Sequence, residues 1–148
     1  MRRISKRPIL YSQLLDSGCT LNKSYDITDV LETMGSISDC DKSYVLKMSN
    51  TVREMINLSI NALQSRDRNA VQKLYEMDDT VDALYRRYVN EIINPQENQN
   101  KKELLDKTSR CYISALLILG YLERISDHAC YIGDSVYYIV TGNSNPRR

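Results

Sequence analysis

Near the end of the chain the heptapeptide ERISDHA, residues 123–129, gathers Glu123, Asp127 and the single histidine, His128, inside an otherwise apolar stretch. Carboxylates four residues apart on a helix are neighbours, and two such pairs can offer four oxygen ligands to a hard or borderline cation. At about 100° per residue, Glu123, Asp127 and Asp134 fall within about 40° of one another and form one stripe. Upstream, YEMDDTVDAL (75–84) sets Asp78 and Asp82 four apart in the same way. Two such pairs on adjacent antiparallel helices could converge on a cation. The same spacing suits solvated surface acids paired with Lys and Arg, because exposed like charges at i, i+4 cost only about a few tenths of a kcal/mol. Spacing leaves both readings open.

The neighbouring residues narrow the chemistry. His128 lies about 140° around the helix from Glu123, which suits a surface or interhelical hydrogen-bonding role better than a place on the acidic stripe. Arg124 is expected to pair with an acid on the next helix. The inward Glu-x-x-His signature of di-iron bundles is absent, since Glu123 and His128 are five apart. The chain also has no phosphate-cradling Gly-rich loop, no G-x-S-x-G elbow and no H-E-x-x-H. Ser126 and Ser135 have no visible base to activate them. No enzyme is indicated.

These residues must be carried by helices. Glycine (5) and proline (3) are sparse, and no stretch alternates apolar and polar long enough to make a convincing strand. From Leu104, apolar or small residues recur at Thr108, Cys111, Ala115, Ile118, Leu122, Ile125, Ala129, Ile132, Val136 and Ile139. That 4-3-4-3 spacing predicts one long packed helix, closed at Gly142 and followed by the tail NSNPRR. The acidic stripe lies about 150° from this seam, facing outward or toward a neighbouring helix. A second helix, with Asp67 as its cap, carries Ala70, Leu74, Met77, Val81, Leu84, Tyr88 and Ile92 and breaks at NPQENQN. Asp26 can cap a run from Ile27 to Leu63, either one helix of nearly forty residues or two with a break around SDCDKS. A short helix from Pro8 to Asp16, closed by Gly18, is expected before it. Short connections between long amphipathic helices predict an all-α fold, an antiparallel three-helix up-down bundle with an extra N-terminal helical segment.

Bulk properties remove several functional classes. The chain of 148 residues is one domain in size, and 42% apolar with 26% charged residues is a globular rather than a disordered mix. Twenty basic against nineteen acidic residues leave +1, so charge balance gives no bias toward nucleic acid or a membrane surface. The basic ends, MRRISKR and NPRR, prompt a DNA-binding alternative, but no recognition-helix signature accompanies them. The longest apolar run, Cys111 to Leu122, falls short of the roughly twenty residues that span a bilayer. Cys19, Cys40, Cys111 and Cys130 show no C-x-x-C spacing, which predicts reduced thiols in a cytoplasmic protein and no cysteine zinc site.

The segment YLERISDHACYIGDSVYYIVTG resembles the closing helix of the PhoU family of phosphate-uptake regulators, whose pattern runs ER-I-x-DHA-x-N-I-x-E into an apolar run and a Gly. INALQSRDRNAVQKLYEMDDTVDALYRRY is similar to that family's middle helix, and the two follow in the family's order over about residues 43–142. Tyr131 stands where the family usually has Asn. The resemblance implies a three-helix repeat, commonly present twice per chain, with surface D/ExxxD pairs that hold iron, zinc or other cations. It therefore implies Asp78, Asp82, Glu123 and Asp127 as metal ligands, with Asp134 where the pattern has a further acid. It divides the chain into residues 1–42, a PhoU-like bundle at 43–142 and a flexible tail at 143–148. SISDCDKSYVLKMSNTV (36–52) echoes RISDHACYIGDSVYYIV (124–140), with Gly35 in place of Glu123 and Cys40 in place of His128. Residues 1–42 are thus either the remnant of a first repeat or an unrelated helical extension.

Functionally, the resemblance implies a cytoplasmic, metal-binding helical adaptor that regulates phosphate uptake through a phosphate transporter component, a sensor histidine kinase, or both. Divalent or multinuclear iron, zinc or manganese is the expected cofactor. A chain with one complete repeat is expected to dimerise, burying the surface a second repeat would cover. A metal-dependent enzyme acting on phosphate compounds is the alternative of a different class, and it would need an enclosed pocket and a proton-transfer group.

Overall fold

In the computed structural model, residues 26–30, 32, 40–94 and 105–145 are described, and every regular element among them is helical. Three long helices follow in order: α1 (Ser43–Ser65), α2 (Ala70–Ile93) and α3 (Leu105–Thr141). Each pair of them packs together, as an up-down bundle requires. The expected all-α, antiparallel three-helix architecture is the one observed.

The helix boundaries follow local chemistry. Cys40, Asp41 and Lys42 are not helical, so the run from Ile27 to Leu63 is broken at SDCDKS. There the Asp41 side chain accepts a hydrogen bond from the Ser43 backbone N–H at 2.8 Å, satisfying a donor the helix cannot. At the other end of α1, Arg66 adopts the left-handed conformation (φ 56°), and its N–H donates to the Ala62 carbonyl. Asp67 then accepts from the Asn69 N–H at 2.9 Å. This local turn places the start of α2 after Asn69, two residues beyond the expected cap at Asp67. The turn is short, so α2 must run back along α1.

The core is built from the spacing seen in the sequence. α1 buries Val45, Met48, Val52, Met55, Ser59 and Ala62, and α2 buries Ala70, Val71, Leu74, Val81, Leu84 and Tyr88. On α3 the seam shifts. Ala115, Ile118, Leu122, Ile125, Ala129 and Val136 are buried as expected, but Ile132 is half-buried and Ile139 is 44% exposed. A strict 3.5-residue repeat drifts about 20° per heptad on a straight helix, so over 37 residues its late members rotate off the core. Cys130 and Gly133 take their place.

Gly133 lets α2 and α3 approach closely. A Cβ there would lie 2.8 Å from Leu74 Cδ1. One turn along α3, the Cys130 thiol sits 3.7 Å from the Leu74 carbonyl.

The cysteines depart from the sequence expectation of reduced thiols. Cys40, just before α1, and Cys111, in the first half of α3, form a disulfide with Cα atoms 5.4 Å apart. They are 71 residues apart, so only the antiparallel return of α3 brings them together. Cys130 is a free, buried thiol. Residues 26–30 and 32 are helical, and Ile27 and Val30 pack against the core. The expected helix from Pro8 to Asp16, its closing Gly18, Cys19 and Leu104 lie outside the described residues.

Candidate functional site

The close approach at Leu74 and Gly133 sets the register between α2 and α3. One residue along α2, the Tyr75 hydroxyl lies 2.8 Å from each carboxylate oxygen of Asp134. Continuing down α2 while going back along α3, Asp78 comes beside Ser126 and Asp127, and Asp82 comes within electrostatic reach of Glu123. The two carboxylate pairs singled out by spacing thus belong to one patch.

That patch is not turned away from the bundle. The core face of α3 is centred near Leu122, Ser126 and Gly133, so Glu123, Asp127 and Asp134 sit on its flank, about 110° from that centre rather than about 150°. The Glu123 and Asp127 side chains are 27% and 28% exposed, partly covered against α2. The seam drift on α3 is the reason for the difference.

The electrostatics carry the signature of crowded carboxylates. Burial is the main effect pushing Asp78 above its ordinary range; a hydrogen bond with Ser126 opposes it, and the charges of Asp127, Asp82 and Asp79 add to it. Glu123 is also raised, first by burial and then by Asp127, with Arg124 opposing and Asp82 and Asp78 adding. Ser126 has one hydroxyl proton to donate, and its Oγ lies 2.7 Å from the Glu123 carbonyl oxygen, so the carbonyl and the Asp78 carboxylate compete for that proton. Asp78 Oδ1 is buried with no hydrogen-bond partner. A buried acceptor in that condition is costly and calls for a donor or a cation.

The surrounding cations do little to discharge the patch. Arg124 reaches Glu123 at 3.6 Å and Asp127 at 3.4 Å, both on its own helix and not on the next one as expected. Arg86 reaches Asp82 at 3.4 Å. Both guanidinium groups are largely exposed, where such pairs contribute only about 0–1 kcal/mol. Asp134 is engaged elsewhere, by Tyr75 and by the Asn145 side-chain amide at 2.9 Å. His128 makes an edge-on ring contact with Tyr131, centroids 5.8 Å apart.

The donor set, all carboxylate with one buried unpartnered oxygen, suits a hard or borderline cation. As the side chains are placed, no three His, Cys, Asp or Glu groups among the described residues stand in an arrangement that could hold an ion. A shallow depression on α2, lined by Ala83, Arg86, Arg87, Asn90, Glu91 and Asn94, is open and lies along one helix face, apart from the four carboxylates. Sequence reasoning missed Tyr75, Ser126 and Asn145 as parts of this region. Ser126 was detectable, because it falls on the core side of the wheel between Leu122 and Ala129. Tyr75 and Asn145 carried no such signal.

Among the described residues no helix is long and apolar enough to cross a membrane. Residues 45–136 match the family model described as the PhoU domain. The chain is 32% identical over 99 residues to the phosphate-specific transport system accessory protein PhoU homolog of Clostridium acetobutylicum, covering 66% of this chain and 42% of that protein. It is 31% identical over 101 residues to the homolog of Zymomonas mobilis, covering 68% and 40% respectively. For the Synechocystis homolog the identity is 30% over 98 residues, covering 66% and 41%. The chain thus spans about two-fifths of the length of the curated relatives it matches. No solved structure matches it. With the three-helix bundle and the family match over most of that bundle, this chain belongs to the PhoU family.

Proposed function

We propose that this protein is a cytoplasmic accessory of phosphate transport, a non-enzymatic adaptor that regulates uptake by docking on a phosphate transporter component, a sensor histidine kinase, or both. What supports the transporter half is the similarity to proteins named as accessories of a phosphate-specific transport system. Residues 43–142 are the unit that carries the role, and it acts as a homodimer.

The observation that carries the site is the half-buried quartet Asp78, Asp82, Glu123 and Asp127, with Asp78 and Glu123 raised by burial and by the neighbouring carboxylates, and the unpartnered Asp78 Oδ1. These four side chains would hold iron, zinc or manganese. A bound cation would neutralise their mutual repulsion and turn an acidic flank into a surface a partner can contact. Asp78 and Asp82 present their charge from α2 and Glu123 and Asp127 from α3, so the ion would also tie the two helices together.

Elemental analysis of protein purified without chelator, alongside the Glu123→Ala/Asp127→Ala double variant, tests the site. Stoichiometric metal in the parent and its loss in the variant are expected; a metal-free parent under replete conditions overturns the site and leaves the adaptor role standing. Co-purification with the phosphate transporter and a phosphate-responsive reporter in a deletion strain test the adaptor role itself. Unchanged reporter output on deletion would refute it.

A further inference from the structure

We propose that the face shared by α1 and α3 is a docking surface for an amphipathic helix of a partner protein, one whose apolar stripe is flanked by carboxylates. The three helices differ on their outer sides. At about 100° per residue, the positions of α1 farthest from its buried set are Asn50, Asn57 and Asn61, and those of α2 are Gln72, Asp79 and Asn90. On α3 the same line carries Ile113, Leu117, Gly120 and Arg124. A helix that is apolar on its outer side as well as its inner one is built to be covered on both. Gly120 adds a notch, since no atom lies within 4 Å of a Cβ built there and an approaching helix can come close.

This apolar surface continues onto α1 and not onto α2. Tyr44 packs on Tyr88 with centroids 5.1 Å apart and so marks the flank of α1 that faces α2. Leu46 and Ile60 lie about 160–200° around the helix from Tyr44, on the side of α3. On α3 the carboxylates beside Asp78 and Tyr75 mark the flank toward α2, which leaves Leu117, Ile132 and Ile139 on the outer or α1 side. Leu46 and Leu117 are 61% and 46% exposed, so neither is covered within the chain. The Cys40–Cys111 bond sets them at one level, each six residues beyond its cysteine. From there to Ile60 and Ile139 the furrow between α1 and α3 runs about 20–30 Å, the length of about 15–20 helical residues.

The charge of this face selects its occupant. Glu54, the one acid of α1, lies about 80° from Tyr44, on the side toward α2. Among the described side chains of α3, the acids Glu123, Asp127 and Asp134 all lie on the α2 flank. The charged groups left on the α1–α3 face are guanidinium groups. Arg53 donates to a neutral acceptor, Asn50, at 3.1 Å, and Arg110 stands exposed one turn before Ser114. Arg124 is drawn to Glu123 and Asp127 on its own helix. A second copy placed here by a two-fold axis would set this basic face against itself, which disfavours it as the occupant. A helix with Leu-type anchors at i, i+3 or i+4 and i+7, and Glu or Asp beside them, fits the furrow and meets the arginines. The inference rests on the adaptor reading proposed above and supplies the chemistry of the partner's docking element.

The test uses the full chain and two synthetic helical peptides of about eighteen residues, with the same leucine stripe flanked by Glu in one and by Lys in the other. Binding is read by fluorescence anisotropy at physiological salt and is counted where Leu117→Asp removes it. The Glu-flanked peptide is expected to bind about tenfold or more tightly than the Lys-flanked one, and Leu117→Asp should weaken it about tenfold or more. Arg53→Glu/Arg110→Glu should reverse the preference. All three residues are exposed, so the variants should keep the circular dichroism of the parent. No Leu117-dependent binding of the Glu-flanked peptide, or a preference unchanged by the charge reversal, would overturn the proposal. So would loss of the parent's self-association in Leu117→Asp, or Leu117-dependent binding to phosphatidylglycerol vesicles in place of the peptide, which would put a second copy or a membrane on this face. Absent peptide binding beside a reporter that responds to deletion would remove this face and leave the adaptor role standing.

Discussion

Tyr75 on α2 and Asp134 on α3 hold the two helices together through a side-chain hydrogen bond, the phenolic oxygen lying 2.8 Å from both carboxylate oxygens. Asn145, just beyond α3, donates to the same carboxylate. Asp134 therefore differs from the other acids of its stripe. It is tethered by neutral donors, whereas Asp78 keeps a buried oxygen without a partner.

Removing the tether should be costly to stability and neutral to the carboxylate quartet. Tyr75→Phe deletes a donor to a charged, half-buried acceptor, an interaction worth about 1.5–3 kcal/mol. A loss of about 1–2 kcal/mol is expected in urea unfolding, with the metal content of the parent retained. Loss of metal in this variant would show that Asp134 and the quartet act as one site.

The crowded carboxylates should set an unusual pH dependence. Asp78 and Glu123 are both raised, mainly by burial, so the folded protein holds these protons more tightly than the unfolded chain. Stability then falls as pH rises from the ordinary carboxylate range through the raised folded values, and returns on acidification through the same window. Asp41 runs the other way. The Ser43 backbone N–H holds it low, so its contribution is present above the ordinary value and is lost as pH falls through the lowered one. Metal-free protein should gain in urea midpoint on acidification from neutrality toward the ordinary carboxylate range, and Asp78→Asn/Glu123→Gln should flatten that rise. The double variant should also be more stable than the parent near neutrality, by about 1 kcal/mol or less for partly solvated charges. A flat profile in the metal-free parent would contradict the crowding.

Two glycines of α3 should respond in opposite directions. Gly120 has no atom within 4 Å of an added Cβ, so Gly120→Ala should stabilise by about 0.5–1 kcal/mol through helix propensity. At Gly133 the new methyl would meet Leu74 Cδ1 at 2.8 Å, and Leu74 is fully buried and cannot swing into solvent. Overpacking costs about 1–3 kcal/mol, which outweighs the propensity gain, so Gly133→Ala should destabilise by about 1 kcal/mol. Thermal unfolding of the pair would separate these signs.

The disulfide closes a long loop, since its cysteines are 71 residues apart. Chain-entropy arguments place such a cross-link at about 4 kcal/mol, and measured values run lower. Reduction should lower the unfolding free energy by about 2–4 kcal/mol, and Cys40→Ser should reproduce the loss without reductant. The same midpoint in both redox states would argue against a formed bond.

Much of this protein is legible in one dimension. The seams of α1 and α2, the pairing of Asp78 with Asp82 and of Glu123 with Asp127, and the family pattern around ERISDHA are local features, decided within a turn or two of chain. Periodicity reports them because a helix repeats every 3.6 residues whatever surrounds it. Other features depend on distances between helices. The Cys40–Cys111 bond, the Tyr75–Asp134 tether and the reach of Asn145 join residues remote in sequence, and no spacing rule encodes them. The orientation of the acidic stripe lies between these cases. Its residues are evident from the sequence, but an ideal 3.5-residue seam assigns them the wrong azimuth, because α3 is long enough for the drift to accumulate. Only the packing of α3 against α2, made close by Gly133, decides that Glu123 and Asp127 lean on Asp78 instead of facing open water.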